Sequence, residues 1–204
     1  MAYPLILSDI GGVVVEFNAD QLVHQMAQLI GRPFDEVQAV VYHKDLLLPF
    51  ELGRISPQAY YEGLKRQLPL PWAFEQFIWA WNNIFQENRD VTVLLRGLHR
   101  HHRIMALTNT NALHLAFLRF SIPSLAVFDD WIASCDVGLR KPDAAIYQLA
   151  LERAGVPAGE VVYIDDRPEL VEAGRAVGLT AIRFENHQQL ERELSFLGIH
   201  PAAA

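Results

Sequence analysis

Six polar residues of the sequence have the types that chemistry on a phosphate group requires. They offer carboxylates, one hydroxyl, one amide and one ammonium: Asp9, Thr108, Asn109, Lys141, Asp165 and Asp166. Carboxylates repel a phosphate dianion unless a hard cation lies between them, and Mg²⁺ prefers oxygen ligands of this kind. With the cation in place a carboxylate can attack phosphorus, while a hydroxyl and an ammonium hold the oxygens that carry charge in the transition state. The set therefore favours phosphoryl transfer.

The residue types also indicate separate roles. Asp9 can act as the nucleophile and form an aspartyl-phosphate that water later hydrolyses. Thr108 and Lys141 can bind the phosphoryl oxygens. Gly11 and Gly12 let the backbone approach a phosphate closely, because glycine has no Cβ.

Short apolar runs precede most of these polar residues. YPLILSD, RIMALTN and VVYIDD are typical of buried strands, and LTAIRF at residues 179–184 is a weaker example. Each run is followed by a polar turn and a helical pattern, which predicts a parallel sheet with helices on both faces. Ligands bind at the carboxyl ends of such strands, so residues distant in sequence should meet in one crevice. Lys141 lies in a loop before a predicted helix, from which it could point into that crevice.

The stretch from residue 18 to residue 85 differs, since helical patterns follow one another there without a strand between them. Ser56 before Pro57 is a clear helix start. We predict a helical cap domain over residues 18–85 and an α/β core domain made of residues 1–17 and 86–204. The cap would lie over the strand ends.

Composition limits the classes of function. A chain of 204 residues with 51% hydrophobic residues can bury a full core. A net charge of −7 opposes binding to nucleic acid or to anionic membranes as the main task. The single cysteine excludes an internal disulfide and suits a reducing compartment. The N-terminal residues lack the basic region of a signal peptide. We therefore expect a cytoplasmic protein. The expected partner is a small phosphorylated metabolite, and the oligomeric state, monomer or homodimer, stays open.

The chain resembles the haloacid dehalogenase (HAD) superfamily, in the group that has a helical cap after the first strand. Within it, the chain is similar to bacterial sugar phosphatases of the α-D-glucose-1-phosphate phosphatase type. The matching stretches are SDIGGVVVEFN, FELGRIS, LPWAFEQFIWAWNNIF, ALTNTNALH, GLRKPDAAIYQLAL and VYIDDRPELVEAG. Their order along nearly the whole chain makes the combination specific.

The resemblance implies a Rossmann-like core and a Mg²⁺-dependent phosphatase. It implies that Asp9 is both nucleophile and metal ligand, and that the main-chain carbonyl of Gly11 is a further ligand. Asp165 and Asp166 would complete the metal site, directly or through water. The resemblance does not distinguish the direct ligand from the one that acts through water. Thr108 would bind the phosphoryl group with Asn109 beside it, and Lys141 would hold both the nucleophile and the phosphate.

Gly11 departs from the pattern of most phosphatases in this superfamily, which carry a second Asp there as general acid and base. Such a group contributes about 100-fold to 10,000-fold to the rate. A substrate with a good leaving group would need little protonation. Alternatively a group from the cap could substitute, with His43, Lys44 and Arg54 nearest by chain position.

Two other functions stay open at this point. A 2-haloacid dehalogenase would use Asp9 to displace halide and needs no cation, which the pair Asp165 and Asp166 opposes. A non-catalytic phosphate-binding protein would keep the pocket after losing its acid at Gly11. The aromatic residues of the cap are expected to form the cap's own core, and His114 is expected on a helix surface or in the core.

Overall fold

The computed structural model describes residues 3–202. The strands in this part of the chain are β1 (Leu5–Ser8), β2 (Val15–Phe17), β3 (Phe85–Glu87), β4 (Arg103–Thr108), β5 (Asp130–Ala133), β6 (Val161–Asp165) and β7 (Thr180–Arg183). The helices are α1 (Ala19–Ile30), α2 (Phe34–Val41), α3 (Lys44–Glu51), α4 (Pro57–Lys65), α5 (Phe74–Asn82), α6 (Arg89–Leu98), α7 (Ala112–Ser121), α8 (Ser134–Val137), α9 (Ala144–Ala154), α10 (Pro168–Ala176) and α11 (His187–Phe196). Short 3₁₀ turns lie at Pro123–Val127 and Ala158–Glu160.

A five-stranded parallel sheet forms the centre of the molecule, in the order β5-β4-β1-β6-β7. Strand β1 lies in the middle, with Ser8 opposite Ala106 of β4 and Ile164 of β6. The carboxyl ends of these three strands therefore lie side by side. This arrangement confirms the predicted α/β fold with a parallel sheet.

Helices cover both faces of the sheet. Because side chains alternate along a strand, Ile6 of β1 packs on one face and Leu5 and Leu7 pack on the other. The first face is covered by α6, α7 and α11, and the second by α9 and α10. Strands buried on both faces explain the continuous apolar runs of the sequence.

Helices α1 to α5 pack around a separate hydrophobic cluster, which we call the helical segment and define as residues 19–82. Ser56 accepts a hydrogen bond from the Ala59 amide at 3.1 Å, so the predicted start of α4 is confirmed. The aromatic side chains divide between two environments: Phe77 and Trp81 are buried in the cluster, whereas Trp79 is 67% exposed. The separate cluster supports the proposed division into core and cap.

A two-stranded antiparallel ribbon joins the helical segment to the sheet. Val15 pairs with Glu87 and Phe17 pairs with Phe85, so the chain leaves and returns along adjacent strands. The sequence patterns do not predict β2 or β3, nor do they predict β5 at the edge of the sheet. Among the described residues, no helix is long and apolar enough to span a membrane.

Candidate active site

Asp9 stands directly after the central strand β1 and is 7% exposed. Its amide donates to the Ile164 carbonyl at 2.8 Å, which continues the pairing with β6. Its Oδ1 accepts a hydrogen bond of 2.7 Å from the Ile10 amide. Burial raises the pKa of Asp9 to about 6, against the opposing effect of the nearby Lys141 ammonium, and the Asp165 carboxylate raises it further. Strand pairing therefore holds this carboxylate in a fixed position.

Lys141 brings two strand ends together. Its fully buried ammonium lies 2.8 Å from Asp9 Oδ2 and 2.7 Å from Asp165 Oδ2. Asn109 holds the Lys141 backbone from both sides, because its Nδ2 donates to the Lys141 carbonyl and its Oδ1 accepts from the Lys141 amide, each at 2.9 Å. The side chain of Asn109 thus fixes the loop that carries the lysine.

Both carboxylate oxygens of Asp165 accept hydrogen bonds from groups of the protein. Oδ1 accepts from the Arg167 amide at 2.9 Å, and Oδ2 accepts from Lys141 and from the hydroxyl of Tyr163. Tyr163 was missed by sequence reasoning, although it lies two positions before Asp165 and therefore on the same face of β6. A Cβ on Gly174 would lie 2.6 Å from Cδ1 of Tyr163, so the glycine makes room for the ring.

Asp166 is half-buried and lies beside the other two acids. One oxygen from each of Asp9, Asp165 and Asp166 lies within 4.8 Å of the others, so the three carboxylates could hold a metal ion. Burial raises the pKa of Asp166, and the neighbouring Asp165 raises it further. Gly12 has a φ of +75° and makes room for this acid, since a Cβ there would lie 2.5 Å from Asp166 Oδ2. The donor set consists of hard oxygens and fits a hard cation.

The ends of β4 and β5 tie the helical segment to the core. Thr108 is the buried last residue of β4. Two residues further on, the Thr110 amide donates to Ser134 Oγ at 2.9 Å, and this hydroxyl also lies 2.7 Å from the Glu51 carbonyl of α3. Ser134 therefore links α3 to the loop that follows Thr108.

A cavity of about 240 Å³ lies between the helical segment and the strand ends. Gly11, Thr108 and Asn109 line one part of it. Much of the remaining wall consists of apolar side chains: Phe17, Leu22, Leu47, Trp81, Ile84, Phe85 and Leu118. The cavity thus has polar phosphate-binding candidates together with an apolar wall.

Gly11 lies against the ring of Phe17. A Cβ at position 11 would lie 3.1 Å from Phe17 Cε1, which is a tight contact. The aromatic ring therefore borders the place where the superfamily's second Asp would begin. His43, Lys44 and Arg54, the suggested substitutes, are not among the described residues that line the cavity.

His114 does line the cavity, a position that sequence reasoning did not favour. Its ring stacks on Trp81 with centroids 5.2 Å apart, and its Nδ1 lies 3.1 Å from Oδ1 of Asn82. Burial lowers the pKa of His114 to about 3. The ring is therefore neutral at physiological pH.

Two relatives share much of their length with this chain. A sesquiterpene phosphatase from Aspergillus oryzae is 31% identical over 139 residues, covering 65% of this chain and 69% of the relative. A D-ribitol-5-phosphate phosphatase from Bacteroides thetaiotaomicron is 24% identical over 201 residues, covering 94% and 97%. Against two other relatives the chain spans only 38% and 31% of their length.

The fold has close structural counterparts. A HAD family enzyme from Bacteroides thetaiotaomicron, solved as a complex with magnesium and inorganic phosphate, matches with a TM-score of 0.83 and 20% identity over 93% of this chain and 99% of that one. The family model of haloacid dehalogenase-like hydrolases matches residues 3–178. The sequence-based resemblance is thereby confirmed, and the chain belongs to the haloacid dehalogenase-like hydrolases.

Proposed function

We propose that the protein is a Mg²⁺-dependent phosphatase that hydrolyses a small phosphorylated metabolite through an aspartyl-phosphate on Asp9. The observation that carries the proposal is the buried Asp9 carboxylate, held by Lys141 within a three-carboxylate cluster beside a cavity. Phosphatases among the relatives support the same reaction class.

The carboxylate geometry suggests how the cluster divides its work. Asp165 has both oxygens engaged by protein donors, so we propose that it positions Lys141 and contributes to the metal site through water. Asp9, Asp166 and the Gly11 carbonyl would hold Mg²⁺ directly. The ion would neutralise the repulsion between carboxylates and phosphate and polarise the phosphoryl oxygens.

The proposed reaction proceeds in two displacements. An oxygen of Asp9 forms a bond to phosphorus, and the ester bond breaks with its electron pair on the leaving oxygen, which takes a proton from water. Thr108 and Lys141 hold the phosphoryl oxygens during transfer, and Gly12 and Asn109 shape the loops around them. Water then attacks the aspartyl-phosphate, which releases inorganic phosphate and restores the Asp9 carboxylate.

Phosphate release from para-nitrophenyl phosphate tests this proposal. We expect turnover with Mg²⁺, loss of turnover with EDTA, and recovery when Mg²⁺ is added in excess. Asp9→Asn should abolish turnover because an amide cannot replace the nucleophile, whereas Asp35→Asn, at an exposed position of α2, should leave it unchanged.

Two outcomes would contradict the proposal in different ways. Halide release from a 2-haloacid without added cation, in the absence of phosphatase activity, would identify a dehalogenase. Mg²⁺-dependent phosphate binding without turnover of any ester would identify a non-catalytic binding protein.

A further inference from the structure

We propose that the preferred substrate is a phosphate ester of an apolar alcohol, best a phenol, and that polyol phosphates are poor substrates. The inference rests on the proposed phosphatase function and names its substrate class. The two relatives do not distinguish between these substrate classes, because one is a sesquiterpene phosphatase and the other is a D-ribitol-5-phosphate phosphatase.

The wall of the cavity provides the first argument. Four aromatic side chains line it, those of Phe17, Tyr42, Trp81 and Phe85, together with Leu22 and Leu47 of the helical segment. Phe17 is 52% exposed even though its ring is apolar. An apolar leaving group would remove this surface from water, whereas a polyol would be transferred from water to an apolar wall.

Internal hydrogen bonds provide the second argument, because they already engage polar groups of the wall. The hydroxyl of Tyr42 donates to the Ala19 carbonyl at 3.2 Å. The indole Nε1 of Trp81 donates to Oδ1 of Asn111 at 3.3 Å. A polyol that displaces water needs a partner for each hydroxyl, and an unmet hydrogen bond disfavours binding.

The His114 ring belongs to the same set. Its Nδ1 is engaged by Asn82 at 3.1 Å, and its faces and edges meet Trp81 and Phe85. The neutral imidazole therefore adds an uncharged aromatic ring to the cavity wall. An aromatic ring of the substrate would pack against such surfaces in offset or edge-to-face geometry.

The two arginine side chains of the cavity wall are paired with carboxylates. Arg140 Nη2 lies 3.5 Å from Glu51 Oε2, and the guanidinium group of Arg167 pairs with the Glu169 carboxylate. The Arg140 Nε has no hydrogen-bond partner among the described residues. Both guanidinium groups are thus engaged by carboxylates, so the hydroxyls of a polyol would compete with an existing ion pair for them.

The missing acid at Gly11 provides the third, independent argument. Without an acid at position 11 to donate a proton, the leaving oxygen departs with more of its negative charge. A phenol, with a pKa of about 10 like that of tyrosine, tolerates this charge far better than an aliphatic alcohol does. The Phe17 ring beside Gly11 would in addition contact an aryl group directly.

The cavity volume of about 240 Å³ is compatible with a single aromatic ring as the leaving group.

Steady-state kinetics with four esters tests the inference: phenyl phosphate, hexyl phosphate, glucose 1-phosphate and ribitol 5-phosphate. We expect KM values for phenyl and hexyl phosphate about tenfold or more below those for the two polyol esters, from burial of the apolar group. Phenyl phosphate should also have a higher kcat than hexyl phosphate. A lower KM for either polyol ester would overturn the inference while leaving the phosphatase function intact, and no turnover of any ester would overturn both.

A pair of variants in α3 tests the wall itself. Leu47 lines the cavity and Leu48 does not, although both are partly buried. Leu47→Asn should raise KM for phenyl phosphate several-fold and narrow its advantage over glucose 1-phosphate, whereas Leu48→Asn should change neither. An unchanged substrate preference in a folded Leu47→Asn protein would contradict the proposed contact.

Discussion

At the scale of single residues, the site depends on a buried ammonium shared by two carboxylates. Lys141 is compensated by Asp9 and Asp165, and Asp165 is itself held by Tyr163 and by the Arg167 amide. Buried charges are tolerated only when they are paired and hydrogen-bonded. Each side chain of this hydrogen-bonded network therefore affects both the stability of the protein and the position of the proposed nucleophile.

Tyr163→Phe tests this dependence. The substitution keeps the ring and removes a donor to a buried carboxylate, so we expect a loss of about 1.5–3 kcal/mol in the free energy of unfolding and a lower kcat. Tyr147→Phe is a matched control, because that hydroxyl donates to the neutral Leu170 carbonyl at 3.0 Å, and about 1 kcal/mol should be lost. Denaturant unfolding measures both, and an equal loss in the two variants would contradict the charge-dependent role.

Gly12→Ala tests the space around Asp166. The new methyl group would meet the carboxylate in a backbone conformation with a φ of +75°, so Mg²⁺ should bind more weakly. Gly155→Ala carries similar strain, at a φ of +67°, but has open space around it and should retain its metal affinity. Titration of activity against Mg²⁺ concentration distinguishes the two, and equal midpoints would contradict the expectation.

The sequence predicts the members of the candidate site because polar residues at strand ends are visible without coordinates. It could not find Tyr163, since a tyrosine within an apolar strand looks like core until its hydroxyl is seen to reach Asp165. The role of Asn109 was equally hidden, because its partner is the backbone of a loop 32 residues away.

At the scale of elements, the close approach of α3 to α8 holds the helical segment over the strand ends. Gly53 has a φ of +65°, and a Cβ there would lie 2.0 Å from the Cys135 carbonyl oxygen. That oxygen belongs to the backbone, so a side-chain rotation cannot relieve the clash. The contact therefore requires glycine.

Gly53→Ala should displace α3 from α8 and weaken closure of the cavity. Gly31→Ala, at the same φ of +65° but with open space, controls for backbone strain. We expect Gly53→Ala to lower the unfolding midpoint further than Gly31→Ala and to raise KM for phenyl phosphate. Equal effects on both quantities would show that the contact with Cys135 is unimportant.

The elements differ in how well the sequence predicts them. Four strands of the sheet lie within apolar runs and were predicted, whereas β5 begins with Asp130 and directly follows Asp129, so its apolar run is shorter. Its strand character comes from pairing with β4. The strands β2 and β3 have three residues each, and their pairing across 67 intervening residues leaves no local pattern.

At the scale of the whole molecule, His114 links stability to pH. Unfolded histidine takes up a proton near pH 6.5, but the folded protein keeps His114 neutral down to about pH 3. Between these values the unfolded state binds more protons. Acidification through this range therefore lowers the free energy of unfolding, by at most about 1.4 kcal/mol per pH unit from this group.

His114→Gln should reduce this acid sensitivity between pH 6.5 and pH 4. The comparison is His200→Gln, at an exposed position near the end of the described chain, which should leave the pH dependence unchanged. Denaturant unfolding at a series of pH values measures the slope. A slope that is the same in His114→Gln as in the unaltered protein would show that another group dominates.

The ribbon of β2 and β3 also determines how separable the two parts of the molecule are. Because Phe17 pairs with Phe85, the two strands that flank the helical segment lie one strand spacing apart, about 4.5–5.5 Å between Cα atoms. A tight turn of two residues spans such a gap without stretching either strand. The helical segment can therefore be treated as an exchangeable module: evolution or design could shorten, replace or remove it, and so change which alcohols are accepted, while the carboxylate cluster stays on the sheet.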